Sequence, residues 1–244
     1  MRTLAEYYAN LGYPKARWHI GGEHPSLEQY AVRLLESLPS ARVLEVGYQS
    51  GGFAVPVILA MRERPDFAYV GIDSLGYSTA IDGTVIARYL EEQGVTAGYE
   101  FLVGDARECL AKLRGREFDL ILVDHHKPLY PRELRAIVRG GFVSAHGSIL
   151  VHDVLGKAQG VWPDCALIVR AYGFGVSIVD AVPDGLAVVK RGIRTQVQGR
   201  GERFRLLGAN ARIALRETRA LVRHLLEKLR RRSPDGRAGF GSTR

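Results

Sequence analysis

The sequence lacks the features that mark several classes of protein. None of its apolar runs reaches the roughly 18 residues that a membrane-spanning helix needs, and its first 18 residues contain no apolar signal-peptide segment. It has two cysteines, Cys109 and Cys165, whose spacing matches no metal motif and suggests no disulfide framework. We therefore expect a cytoplasmic protein with no membrane span, large enough to fold around its own apolar core.

The net positive charge of the chain comes entirely from its last quarter. Residues 190–244 carry 16 Lys+Arg and 4 Asp+Glu, a net charge of +12. The remaining 18 basic and 22 acidic residues give residues 1–189 a net charge of −4. An acidic partner such as nucleic acid would therefore meet the C-terminal segment rather than the body of the protein.

Short apolar segments alternate with segments of helical periodicity between residues 26 and 191. This pattern predicts strands at 42–47, 67–73, 99–105, 118–124 and 147–153, and helices at 26–38, 53–64, 84–94, 106–114, 132–142 and 164–173. Segments 176–182 and 186–191 flank a Pro-Asp-Gly turn and predict a hairpin. We expect an α/β, Rossmann-like, doubly wound and mostly parallel seven-stranded sheet with a closing antiparallel hairpin.

The chain divides into three parts. Residues 1–192 form the predicted α/β domain, with the first 25 residues as a segment on the substrate side. Residues 193–232 form a basic amphipathic extension, in which apolar residues recur at helical spacing over 204–232. Residues 233–244 are expected to be a flexible tail. The apolar face of the extension predicts a homodimer contact. Its arginine-rich face is, as a less favoured alternative, a surface that would bind nucleic acid.

Each predicted parallel strand ends in a glycine or an acid: Gly47, Asp73, Asp105, Asp124 and Asp153. In doubly wound sheets, ligands bind outside the carboxyl ends of the strands, near the point where the strand order reverses. These five residues therefore mark the expected site.

The first strand end, in "VLEVGYQSGG", carries Glu45, Gly47 and Gly51. It is not a G-x-G-x-x-G motif because position 49 is glutamine, so the turn suits the aminoacyl end of a nucleoside better than a pyrophosphate, unless it is only a tight turn. Asp73 is a candidate to accept the ribose hydroxyls, or a turn aspartate. Asp105 either contacts an adenine edge or caps the helix that follows it.

Asp124 and Asp153 end two strands that we expect to be neighbours. Two carboxylates at ~4 Å repel by roughly 4 kcal/mol at an effective dielectric constant of 20, so a shared proton, a lysine or a divalent cation must relieve them. Lys127 supplies charge or acts as a base, if burial or a nearby cation lowers its pKa. His152 is an extra ligand or a proton acceptor, although strand alternation starts His152 and Asp153 on opposite faces.

Two more histidines, His125 and His126, follow Asp124 directly. The sequence leaves open whether they are exposed loop residues or belong to the site.

Taken together, these stretches resemble the class I S-adenosylmethionine-dependent methyltransferases, and in particular the catechol O-methyltransferase-like family. The similarity covers roughly residues 26–192 through "VLEVGYQSGGFAV", "LVDHHKPLY", "GSILVHDV" and "PDGLAVVKRG". For the cofactor S-adenosylmethionine, the resemblance implies three groups of contacts: methionine-side residues Glu45, Gly47 and Gly51, the ribose ligand Asp73, and the adenine neighbours Asp105 and Ala106.

The resemblance also implies a divalent cation, Mg²⁺ or Mn²⁺, held by Asp124 and Asp153, with Lys127 as the base that deprotonates the acceptor. The chain departs from the family because Val154 stands where an asparagine ligand is usual. A related group has an acid at the position of His152. Either His152 is therefore the third ligand, which would favour softer metals such as manganese, iron or zinc over Mg²⁺, or the metal site is degraded.

The predicted function is therefore O-methylation of a small hydroxylated molecule. An RNA methyltransferase that uses the basic extension is an alternative, although the Asn-Pro-Pro-aromatic tetrapeptide of amino-methylating enzymes is absent. A non-catalytic protein that keeps the fold and uses the extension for assembly is a further alternative.

Overall fold

The predicted apolar segments form strands at nearly the predicted positions. The computed structural model describes residues 3–12, 27–76, 81–182 and 184–191. The strands in these ranges are β1 (Ala41–Val46), β2 (Phe67–Asp73), β3 (Tyr99–Val103), β4 (Phe118–Val123), β5 (Val143–His152), β6 (Phe174–Val179) and β7 (Leu186–Arg191).

All seven strands belong to one sheet, in the order β3-β2-β1-β4-β5-β7-β6. Strands β1 to β5 pair in parallel, whereas β7 runs antiparallel to both of its neighbours, β5 and β6. The predicted mostly parallel sheet with a closing hairpin is thereby confirmed. The chain reverses its winding direction between β1 and β4, so the crevice expected for a ligand lies at the carboxyl ends of these two strands.

Helices connect the strands, as the alternating pattern predicts. They are α1 (Leu4–Asn10), α2 (Leu27–Glu36), α3 (Ala54–Met61), α4 (Gly83–Glu92), α5 (Ala106–Lys112), α6 (Tyr130–Gly140) and α7 (Trp162–Ala171), with a 3₁₀ turn at Lys127–Leu129. The six predicted helices are present, with ends that shift by a few residues. Helix α1 is an addition that the sequence patterns did not reveal.

Several predicted segments lie outside the described residues. They include most of the N-terminal substrate-side segment, the basic extension at 193–232 with its helix, and the tail at 233–244. In the part of the chain that is described, no helix combines the length and apolarity needed to cross a membrane.

The sheet separates two apolar layers because alternate residues of each strand point to opposite faces. Leu44 and Val46 of β1 pack with α5, α6 and α7, whereas Val43 packs with α1, α2, α3 and α4. Every residue of β4 is buried, as expected for a central strand covered on both faces. Burial of each such Leu, Ile or Val side chain contributes about 1.5–3 kcal/mol to folding.

A buried carboxylate, Asp119, ties the strands together at the amino end of the sheet. It accepts hydrogen bonds from the Ser40 hydroxyl (2.8 Å), the Ser144 hydroxyl (2.7 Å), and both the backbone N–H (2.9 Å) and the guanidinium of Arg42. Burial alone would raise the pKa of Asp119, but these donors lower it to about 2. Hydrogen-bond donors of the protein satisfy both oxygens of this carboxylate, so its role is structural.

Candidate active site

A crevice opens at the carboxyl ends of the strands, where the sequence predicts the site. It is lined by residues from four strand ends, at 46–47, 72–74, 104–106 and 125–126, and by Leu129, Arg132 and Glu133 beside the start of α6. Four of the predicted cofactor residues line it: Gly47, Asp73, Asp105 and Ala106. The topology therefore brings together residues up to 87 positions apart in the chain, from Val46 to Glu133.

Gly47 is required at the turn after β1 because another segment passes very close to it. Its φ is +103°, and an added Cβ would lie 2.4 Å from the Asp124 carbonyl oxygen and 2.5 Å from the Cβ of His125. A side chain at this position would therefore push away the loop that follows β4. The contact makes the glycine turn and the loop carrying Asp124 and His125 direct neighbours.

The carboxylate of Asp73 is anchored by two backbone N–H groups at the end of β2. Gln49 donates to Oδ2 at 2.8 Å and Leu75 donates to Oδ1 at 2.7 Å. Both donors have a positive φ, +48° for Gln49 and +54° for Leu75, a conformation that costs non-glycine residues about 1–3 kcal/mol and is concentrated at functional sites. A carboxylate has about four acceptor positions, so Asp73 can still accept hydroxyl groups.

Asp105 caps the helix that follows it, one of the two roles that the sequence left open, and its contact with an adenine stays a prediction. One carboxylate oxygen caps α5 by accepting from the Arg107 N–H at 2.9 Å, and the other accepts from the Arg132 guanidinium at 3.1 Å. The residue also lines the crevice. Capping and ligand contact are therefore compatible at this position.

Two predicted cofactor residues lie behind the crevice. The Glu45 carboxyl is buried, hydrogen-bonds to the Tyr69 hydroxyl, and has its pKa raised well above the usual value by burial. Gly51 has a φ of +77°, and an added Cβ would lie 3.1 Å from the side chain of Ile86. Neither residue is among those that line the crevice, so their contact with a cofactor stays a prediction.

Beside the crevice, Asp124 and Asp153 meet, and the ammonium of Lys127 lies between them. The Lys127 Nζ is 2.6 Å from Asp124 Oδ1 and 2.6 Å from Asp153 Oδ2. It also lies 2.8 Å from the hydroxyl of Tyr130, the fully buried first residue of α6. The expected juxtaposition of the two acids is present, and a lysine offsets their repulsion.

His152 joins the same cluster because the backbone changes direction after β5. Its Nδ1 lies 3.1 Å from Asp124 Oδ2 and 3.5 Å from Asp153 Oδ1. Strand alternation would have put His152 and Asp153 on opposite faces, but Asp153 has a φ of +63°, which ends the extended backbone. This left-handed residue turns the Asp153 carboxylate back toward the histidine.

The charges of the cluster shift its pKa values in opposite directions. Burial raises the pKa of Asp124, but the opposing effect of His152 and Lys127 is larger. The net shift is therefore downward, and the group is an anion. Burial lowers the pKa of Lys127, yet Asp124 and Asp153 outweigh it and the net shift is upward. The expectation that the Lys127 pKa falls is therefore wrong for this arrangement. The pKa of His152 is likewise raised: burial lowers it, and the Asp124 carboxylate raises it more.

A second charged network lines the crevice and was missed in the sequence. Arg132 donates to Asp105 and, at 2.9 Å, to the buried carboxylate of Glu133, which also pairs with His125. His126 is exposed but lines the crevice together with His125, so both loop histidines lie at the site. A usable signal was the position of Glu133, since it falls in the apolar stripe of α6 with Tyr130.

The N-terminal helix α1 also reaches the glycine turn. Thr3 and Glu6 form a capping box that starts α1, and Tyr8 on its buried face donates a hydrogen bond to the Ser50 carbonyl at 2.9 Å. The ring of Tyr7 packs against Tyr89 of α4 at 5.1 Å. Helix α1 thereby fixes the turn from the side opposite the sheet.

Solved structures share this architecture. The O-methyltransferase TomG from Streptomyces achromogenes, in complex with SAM, superposes with a TM-score of 0.60 at 20% identity over 78% of this chain and 88% of its own. Cofactor-bound Rv0187 from MTB gives 0.56 at 20% identity over 80% and 92% of the two chains. The SAH-bound methyltransferase PaMTH1 from Podospora anserina gives 0.51 at 22% identity over 68% and 77%.

Sequence comparison adds nothing to this likeness: no protein-family model matches the chain, and neither does any curated protein sequence. At these identities the structural likeness establishes the fold. The chain has the Rossmann-like fold of the class I S-adenosylmethionine-dependent methyltransferases, which confirms at that level the resemblance predicted from its motifs.

Proposed function

We propose that this protein is an S-adenosylmethionine-dependent O-methyltransferase that acts on a hydroxyl group of a small molecule. The observation that carries the proposal is the convergence of Asp124, Lys127, His152 and Asp153 beside a crevice with nucleoside-compatible polar groups. The two features are contiguous, because the loop that begins with Asp124 touches the glycine turn at Gly47.

The polar groups of the crevice fit the cofactor that this fold binds in TomG. Asp73, held by two backbone N–H groups, would accept the ribose hydroxyls. Asp105 and Ala106 at the start of α5 would lie at the adenine edge. When bound, S-adenosylmethionine supplies a methyl group already activated by its sulfonium. The protein then has to align an acceptor oxygen and remove one proton, and alignment alone is worth about 7–11 kcal/mol in well-oriented reactions.

His152 is the better proton acceptor of the two basic candidates. A carboxylate only accepts hydrogen bonds, so the Asp124 contact fixes the proton of a neutral imidazole on Nδ1 and leaves Nε2 as the basic atom. Lys127 is held as an ammonium by two carboxylates, which suits it to supply a fixed positive charge near an acceptor oxygen rather than to remove its proton. We therefore assign the base to His152 and the orienting charge to Lys127.

The divalent cation that the resemblance implies stays a prediction, and this proposal does not require it. Asp124, His152 and Asp153 would be the protein ligands, since one ligand atom from each lies within 4.8 Å of the others. The donor set does not fit a hard cation in the described arrangement, because the Lys127 ammonium separates the carboxylates. In addition, the side chain of buried Val154 offers no oxygen at the position where an asparagine ligand is usual in the family.

Calorimetry and a methyl-transfer assay test the proposal. The protein is expected to bind S-adenosylhomocysteine, and Asp73→Ala is expected to weaken that binding by about tenfold or more through the lost hydrogen bonds to the ribose. Radiolabelled S-adenosylmethionine is then offered with a panel of catechols, phenols and hydroxylated acids. A folded protein that binds no S-adenosylhomocysteine would contradict the proposal.

An RNA methyltransferase is the second candidate, and a non-catalytic assembly protein is the third. The net charge of +12 on residues 190–244 favours the former. A salt titration of RNA binding, with and without residues 193–244, separates the RNA methyltransferase from the small-molecule enzyme. Electrostatic RNA binding would fall steeply with salt and vanish with the extension, whereas the small-molecule enzyme would keep its turnover without it.

A further inference from the structure

The ammonium of Lys127 occupies a fully coordinated position. An ammonium has three N–H donors, and three oxygens surround it: Asp124 Oδ1 and Asp153 Oδ2, each at 2.6 Å, and the Tyr130 hydroxyl at 2.8 Å. The side chain is only 16% exposed. Every N–H of Lys127 is therefore used within the cluster.

The backbone keeps this ammonium in place. Lys127 opens the 3₁₀ turn that leads into α6, only three residues after Asp124 and three before Tyr130. Its Nζ also lies 5.1 Å from the centre of the Tyr130 ring, within the range of a cation–π contact. Contacts with Asp124 on one side of the sequence and with Tyr130 on the other thus hold the Lys127 side chain in one position, unlike the side chain of an exposed surface lysine.

The charges of the cluster indicate that the ammonium relieves the repulsion between the two carboxylates. Two buried or half-buried carboxylates face one ammonium, and His152 donates to the carboxylate oxygen of Asp124 that Lys127 does not contact. The repulsion between the acids is therefore already relieved. A divalent ion would have to enter next to the ammonium or displace it, and either event leaves a cation of this half-buried cluster without its partners.

The ligand set gives a second, independent argument. Mg²⁺ requires near-octahedral oxygen ligands at about 2.0–2.1 Å. Asp153 is followed by buried, apolar Val154, and its other neighbour, His152, offers nitrogen and already uses Nδ1 on Asp124. The two carboxylates, the only oxygen ligands of this set, both contact the ammonium.

We propose that the ammonium of Lys127 takes the place of the divalent cation in this protein, so that methyl transfer proceeds without a metal. The acceptor hydroxyl, oriented by the Lys127 charge, gives its proton to His152 Nε2. Its oxygen bonds to the methyl carbon as the carbon–sulfur bond breaks, and the electron pair of that bond stays on sulfur, which becomes a neutral thioether. The statement about turnover rests on the proposed function; the statement about metal binding does not.

Manganese binding, followed by electron paramagnetic resonance on the full chain stripped with a chelator, tests the metal statement directly. The wild type is expected to bind no Mn²⁺ at the cluster. Lys127→Met, which removes the charge and keeps a similar stem, is expected to gain Mn²⁺ binding at the cluster, at least about tenfold tighter than any residual binding by the wild type, because its two carboxylates are left without the ammonium. Lys127→Arg is the matched control that keeps the charge and is expected to bind no more than the wild type.

The double variant Lys127→Met/Asp153→Asn locates the new site, since it should lose the affinity gained by Lys127→Met. Mn²⁺ binding by the wild type that disappears in Asp153→Asn would overturn the proposal. So would a folded Lys127→Met variant, verified by its thermal melt, with no gain in Mn²⁺ affinity. If Lys127→Met does not fold, wild type and Asp153→Asn alone decide the outcome.

Turnover measured with and without EDTA tests the catalytic statement, and it is expected to be unchanged. Complete loss of turnover in EDTA, restored by Mn²⁺, would overturn the proposal while leaving the methyltransferase function intact. Failure to bind S-adenosylhomocysteine would instead reject the proposed function, and the Mn²⁺ results would still stand.

Discussion

The two ends of the sheet use the same residue type, aspartate, in different ways. At the amino end, Asp119 accepts hydrogen bonds from two serine hydroxyls and from the backbone N–H and guanidinium of Arg42, so it is satisfied within the fold. At the carboxyl end, Asp124 and Asp153 share one lysine, and Asp124 adds a histidine. An acid whose donors belong to the fold stabilises it, whereas Asp124 and Asp153 hold two titratable cations in place beside the crevice.

The sharpest test of this difference is the variant Asp124→Ala. We expect turnover to fall by about 10³-fold or more, because the orienting partner of both His152 and Lys127 is lost. Affinity for S-adenosylhomocysteine should change little, since the Asp124 side chain does not line the crevice. Initial rates and calorimetry measure the two quantities, and a tenfold loss of cofactor affinity would show that the pocket has been mis-assigned.

Removing the shared cation should have the next largest effect. Lys127→Ala is expected to lower turnover by about 10²-fold, because the charge that orients the acceptor oxygen is lost, while cofactor affinity changes far less. Steady-state kinetics separates the two. An unchanged rate would move the orienting charge elsewhere, whereas a rate loss together with an equal loss of cofactor affinity would indicate a structural role.

The amino end should respond in stability rather than activity. Asp119→Asn is expected to cost about 1–3 kcal/mol at pH 7, because the hydrogen bonds of Arg42, Ser40 and Ser144 lose their charged acceptor. For a chain of this size that is roughly 2–4 °C in Tm per kcal/mol. Turnover of the folded variant should equal that of the wild type, and a clear loss of activity would break the proposed division between the two ends.

The pH dependence gives the same variant a second readout. The pKa of Asp119 is lowered to about 2 in the folded protein, below the roughly 3.9 of an unfolded chain. Its stabilisation is therefore present above about pH 4 and is lost as the pH falls toward 2. The difference in unfolding free energy between wild type and Asp119→Asn should shrink over this window. A difference that stays constant down to pH 2 would contradict the assigned ion pair.

The sequence predicted the fold and the strand-end acids well because both follow from local periodicity. Apolar runs of strand length and the residues that end them can be seen without tertiary information, and they placed Asp73, Asp124 and Asp153 at one edge. It could not predict that Asp153 leaves the strand with a φ of +63°, because the aspartate shows no turn signal of its own. The upward pKa shift of Lys127 was missed for a related reason: it depends on two carboxylates that only tertiary structure brings together.

Helix α1 was missed because its seven residues span only about two turns, fewer than the roughly 11–18 residues over which helical periodicity is recognised in a sequence. Its contribution is nevertheless specific, since Tyr8 holds the Ser50 carbonyl inside the apolar layer. This contact links the carboxyl end of the sheet to the N-terminus. It also predicts the smallest effect in the series.

Replacing Tyr8 by phenylalanine removes one hydroxyl and leaves the buried ring. The Ser50 carbonyl loses its partner, at a cost of about 1 kcal/mol, and the glycine turn is held less firmly. Part of this cost should appear as weaker binding of S-adenosylhomocysteine, up to about fivefold, with the turnover of the saturated enzyme unchanged. Tyr99→Phe is the matched control, because its hydroxyl contacts the Ala87 and Val95 carbonyls at 3.4 Å, away from the turn. Equal affinities for the two variants would mean that Tyr8 stabilises only the apolar layer and that the turn keeps its shape without α1.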